Sequence, residues 1–147
     1  MKKYSTEAWG IGLIRMVVGG IFLAHGLQKA LVFGLAGVAA VMGDIGLPWP
    51  AASAVAVTAT ELFGGLALAL GFFTRLAAVP LAFAMLVASV TVHLPQGFFL
   101  PNGAEYALMM LAATVGLALT GSGAFAIDNL IGRSHEAATR PAVPRAA

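Results

Sequence analysis

"LIRMVVGGIFLAHGLQK", residues 13–29, is the stretch on which the fold turns. With the residues before it, it gives a run from about Trp9 to Lys29 that is apolar except for Arg15 until His25, Gln28 and Lys29 appear at its end. About 20 such residues cross the hydrocarbon core of a bilayer as a helix. The rest of the chain supports that reading. Of 147 residues, 60% are hydrophobic and only 10% are charged, and the mean hydropathy is +0.93. Soluble domains carry about 25% charged residues, so a water-soluble surface would here expose far too much apolar area.

Three further runs match the first in character. They cover about 51–73, 75–94 and 104–120. "LPWP" (47–50) fixes the start of the second, since proline is tolerated in a first helical turn. Pro95 closes the third, and "GSG" (121–123) stops the fourth. The segment Val32–Met42 is too short to span and reads as a loop with a short interfacial or re-entrant helix. Residues 134–147 are small, polar and proline-containing and read as a disordered tail. A transmembrane β-barrel is excluded, because its strands are about 10 residues long and alternate apolar with polar. The expectation is all-α: a polytopic membrane four-helix bundle over residues 1–133 with a cytoplasmic tail.

Lysine and arginine set its orientation. With four spans, Lys2, Lys3, Arg75, Arg133, Arg140 and Arg145 fall on one side and Lys29 alone on the other. Both termini are then expected to be cytoplasmic. The net charge of +2 is too small to imply a nucleic-acid partner. The absence of cysteine removes thiol redox centres and cysteine-ligated iron–sulfur clusters from this chain.

Ionisable groups inside spans are costly and mark functional candidates. Arg15 and Glu61 come out at similar depth on neighbouring helices and are expected to form a buried pair, structural or functional. Around them Gly19, Gly20 and Gly26 on the first helix and Gly64, Gly65 and Gly71 on the second are expected to let helix backbones approach. A second polar layer is expected at the outer leaflet. His25 and Lys29 share a helix face, Gln28 lies beside them, and His93 and Glu105 come from other helix ends. These five form the candidate ligand-binding set. No H-E-x-x-H or similar spacing is present, and Lys29 would repel a cation, so no metal site is expected. "GSGAF" (121–125) follows a membrane helix rather than a strand, which rules out a dinucleotide fingerprint.

The stretches at 13–29, "GLPWP" (46–50), "ELFGGLALALGFFTRLAA" (61–78), "VHLPQGFF" (92–99) and "EYALMMLAATVGLALTGSGAFAIDNLI" (105–131), taken in order, resemble the DoxX family of small bacterial membrane proteins. Arg15, Gly19, His25, Gly26, Lys29, Glu61, Gly65, Gly71, Arg75 and Asp128 stand at matching positions. The resemblance implies a four-helix membrane fold and a place in membrane oxidoreductase systems that handle thiosulfate, quinones or catechols. On that basis the chain is expected to be a subunit binding a quinone or similar small aromatic at the outer leaflet, with no intrinsic cofactor. Its partners would be membrane lipid and either a redox protein or further copies of itself. The alternative is a non-catalytic membrane anchor, assembly factor or small-solute carrier.

Overall fold

The computed structural model describes residues 4–131; the predicted disordered tail lies outside them. Among the described residues there is helix but no strand. The α-helices are α1 (Thr6–Gln28), α2 (Gly34–Asp44), α3 (Pro50–Ala59), α4 (Gly65–Leu70), α5 (Thr74–Ala88) and α6 (Glu105–Thr120). Wide π-helical turns at Lys29–Phe33 and Thr60–Gly64 join α1 to α2 and α3 to α4, and a third at Ser89–His93 extends α5. The joined runs Thr6–Asp44, Pro50–Leu70 and Thr74–Gln96 are each long and apolar enough to cross a membrane. At 16 residues, α6 is shorter, about 24 Å of helix.

The first run differs from the sequence reading. Lys29 is not a helix end: the helix continues through the π turn into α2, so of the loop with a short helix expected at Val32–Met42 the short helix is present and the loop is not. The segment contains no proline and no polar turn cluster, so nothing stops it. Gly34, at φ +68°, only redirects it, and α2 leaves α1 to pack on α3. Too short to span alone, it extends a helix that is already formed.

Other ends follow local chemistry. The Ser5 side chain accepts from Ala8 N–H at 3.2 Å and starts α1, and Pro50 opens α3. Gly71, at φ +69°, ends α4. The start of α5 is capped from far along the chain. Asp128 Oδ1 accepts from Phe73 N–H at 2.7 Å and Oδ2 from Thr74 N–H at 3.0 Å, satisfying donors that a helix N-terminus leaves free.

Glycines set the register of α1 against α4. The two run antiparallel with backbones in contact. A Cβ on Gly65 would lie 2.6 Å from Leu23 N, one on Gly26 2.7 Å from Leu62 N, and one on Gly19 would collide with the Ala69 backbone. The small apolar core beside this contact holds Val18, Phe22, Leu68, Leu81, Met110 and Leu117. Large apolar side chains such as Leu31, Phe63, Leu76 and Leu119 point outward, as they should where lipid is the solvent. We expect Gly19→Leu to prevent close α1–α4 packing and cost at least the roughly 1–3 kcal/mol of an overpacked core. Thermal unfolding in detergent should show this as a lowered midpoint, whereas Gly20→Leu, at a position with open space, should leave it unchanged.

Candidate functional site

Among the described residues the buried charged groups, Arg15 and Glu61, mark two separate centres. The first is Arg15, fully buried on α1. Its Nε donates to Ser122 O at 2.8 Å; one terminal nitrogen donates to Leu68 O (2.7 Å) and Ala69 O (2.5 Å), the other to Ala124 O and Phe125 O (both 3.2 Å). A guanidinium has five N–H donors, and each finds a carbonyl. Two of these belong to the C-terminal turn of α4, where the helix dipole favours a cation. The expected Arg15–Glu61 pair is therefore not formed. The glycine register sets Arg15 opposite Leu68 and Ala69, and the seven residues from there to Glu61 span about 10 Å of helix. Equal depth had assumed that both helices begin level.

Around Arg15 the chain is tied at one end. Ala124 N–H donates to Ala8 O at 2.7 Å and Asp128 N–H to Gly71 O at 2.9 Å. Asn129 Nδ2 donates to Gly123 O at 2.7 Å. With the Asp128 carboxylate cap, these bonds to main-chain carbonyls join α1, α4, α5 and the segment after α6. Asp128 was legible only as a matching family position; its capping role needs the tertiary contact.

The second centre is Lys29 with Glu61. Lys29 Nζ lies 2.5 Å from Glu61 Oε2, with 21% and 10% of the side chains exposed. Glu61 is twelfth in the 21-residue run Pro50–Leu70, so it lies halfway along an apolar helix rather than at its end. Both residues lie in π turns, which are frequent at functional sites. Gly26 lies over the backbone of Glu61 and Leu62. This contact holds the two helices close enough for the pair to form.

The remaining members of the candidate set are not gathered with Lys29. His25 and Gln28 are exposed on α1. His93 Nδ1 lies 3.2 Å from Asn102 O, and Glu105 Oε1 accepts from Leu100 N–H at 2.8 Å. Both thus brace the turn over 97–104. Among the described residues no hydrogen bond or ion pair links His25, Gln28 or Lys29 to His93 or Glu105. Nor do three or more metal-ligating side chains gather there in an arrangement that could hold a metal ion.

A cavity of about 360 Å³ lies elsewhere, between α3 and α5 under the α2–α3 corner. None of the five candidate ligand residues lines it, although Thr60 and Val92, chain neighbours of Glu61 and His93, do. Sequence reasoning missed it because its walls are ordinary apolar residues. Its one separable signal is a threonine beside Glu61.

Long apolar helices, a lipid-facing apolar surface and satisfied charges in the interior define a helical membrane protein. More narrowly, the chain belongs to the DoxX family, whose profile matches residues 10–94. It is 36% identical over 122 residues to a Bacillus subtilis protein named "Putative oxidoreductase CatD", covering 83% of this chain and 87% of that one. It is 32% identical over 133 residues to an uncharacterized protein of Haemophilus influenzae, covering 88% and 94%. No solved structure matches it.

Two expectations follow. Arg15→Lys should destabilise the protein nearly as much as Arg15→Met, by about 3–5 kcal/mol, since an ammonium has three donors to offer in place of five. In denaturant titrations, Lys29→Met and Glu61→Gln should each be costly while the double variant recovers about 1–3 kcal/mol of the summed loss. Arg15→Met with Glu61→Gln should be additive.

Proposed function

We propose that this chain is a multi-pass subunit of an oxidoreductase system in the bacterial inner membrane, and that it binds a quinone or similar small aromatic from the outer half of the bilayer. The single observation that carries this reading is the mostly buried Lys29–Glu61 ion pair, with Glu61 halfway along the apolar run Pro50–Leu70 and Lys29 where α1 passes into its π turn. Charges at such depth are expensive and seldom retained for packing alone. The relative named an oxidoreductase points to the same class of chemistry. In this reading α6 is the fourth span and the end tied by Arg15 is cytoplasmic. Arg75 supports that orientation, lying beside Gly121 at the tied end.

Reduction of a quinone takes two electrons and two protons. This chain has no cysteine and no metal-ligand motif, so a partner redox protein supplies the electrons. Lys29 is placed to stabilise charge developing on a ligand oxygen, and the pair can relay a proton. Exposed His25 and Gln28 flank Lys29, while His93 and Glu105 are already engaged by the turn they brace. The Arg15 centre and the Asp128 cap are architectural and would equally serve a membrane anchor, assembly factor or solute carrier. The mid-helix pair favours the first reading.

The test is extraction of protein purified from bacterial membranes with organic solvent, followed by quinone absorbance. Wild type should carry a quinone, Lys29→Met should lose most of it, and both should unfold as single species in detergent. Wild type that yields none, or Lys29→Met that retains all of it, would overturn the reading.

A further inference from the structure

We propose that the cleft between α3 and α5 binds an uncharged, lipid-soluble ring compound carrying a carbonyl group, and that the Thr60 hydroxyl is its hydrogen-bond donor. This goes beyond the function proposed above, since it requires neither the Lys29–Glu61 pair nor a redox step.

The cleft follows from how the helices meet. α5 packs on the Thr60–Gly64 turn and on α4, and a Cβ on Gly64 would lie 3.3 Å from Leu81 Cγ. Beyond that contact, small residues such as Ala56 and Ala84 face the space, which Met42 and Pro48 roof over. Phe83, 67% exposed, stands on the rim, so entry is sideways from lipid. The volume of about 360 Å³ is at the small end of the roughly 300–1,000 Å³ usual for small-molecule sites. It suits one or two fused rings rather than a large cofactor.

The lining selects the chemistry. It contains no charged side chain, so an anion entering it would lose hydration without compensation. Its hydroxyls are not equivalent. Thr91 Oγ1 donates to Val87 O at 2.8 Å and Ser53 Oγ to Pro48 O at 2.8 Å. On α6, Thr114 and Thr120 likewise donate to the carbonyls of Met110 and Gly116, four residues back, while Thr58, Thr74 and Ser89 carry buried hydroxyls without a partner but do not line the cleft. Thr60 makes no side-chain hydrogen bond among the described residues, although it lines the cleft. In an apolar site an unmade hydrogen bond is costly, and an acyl chain has no acceptor to relieve it. A ketone or quinone carbonyl does.

The test is photolabelling of the full-length protein in phosphatidylcholine vesicles with a diazirine-bearing naphthyl ketone, competed by three unlabelled compounds. Label should map to residues 42–60 and 80–92. 2-Acetylnaphthalene should compete, 2-ethylnaphthalene should need about three- to ten-fold more, the worth of one neutral hydrogen bond, and 2-naphthoate should fail. In Thr60→Val the ketone and the hydrocarbon should compete equally, which cancels differences in lipid partitioning. Ala84→Phe should abolish the label. A label absent from residues 42–60 and 80–92 would overturn the proposal. So would equal competition by ketone and hydrocarbon in wild type, the mark of a groove that holds only acyl chains. Lys29→Met should leave labelling unchanged, so the two sites fail or stand separately.

Discussion

The backbone contact between Gly19 and Gly26 on α1 and Gly65 and Leu62 on the facing helix sets the place of both buried cations, Arg15 and Lys29. With no side chains between them, the two helices can meet in only one register. That register sets Arg15 beside the carbonyls that end α4 and brings Lys29 within reach of Glu61. In lipid there is little hydrophobic force to press helices together, so close packing and satisfied polar groups must do so. The glycines provide the first, and the placement of the two cations provides the second.

The two cations solve the problem of burial differently. Arg15 makes no salt bridge to a carboxylate among the described residues, although the charge of Asp128 lies near enough to act on it. Five main-chain dipoles surround it, which suits a group that never loses its proton. Lys29 meets a single carboxylate and stays one-fifth exposed, an arrangement that can exchange a proton or yield a partner. The rigid centre lies where the chain is tied together, and the adaptable one lies where the helices widen into π turns.

Much of the fold could be read in the sequence. The apolar runs, Pro50 and Gly121 mark helix limits because local chemistry decides them. The continuation past Lys29 was missed because polar residues at 25, 28 and 29 look like an end, while the helix needs only the absence of a breaker. The candidate site was less legible. Glu61 and Lys29 were both singled out, but on different sites, since depth was counted from helix starts. The glycines carried the correction: pairing Gly19 with Gly65 slides Glu61 away from Arg15 and toward the far end of α1. The role of Asp128 and the cleft beside Thr60 depend on contacts more than 20 residues apart in sequence, which no local pattern encodes.

Three of the five acceptors around Arg15 come from Ser122, Ala124 and Phe125, more than 100 residues downstream. During synthesis the first helix therefore reaches the bilayer long before its guanidinium can be satisfied there. Until then the side chain has to stay with water and headgroups, as long basic side chains do. Only once residues 122–125 have been made can it withdraw fully: a chain truncated before residue 122 would offer its guanidinium two of the five carbonyls.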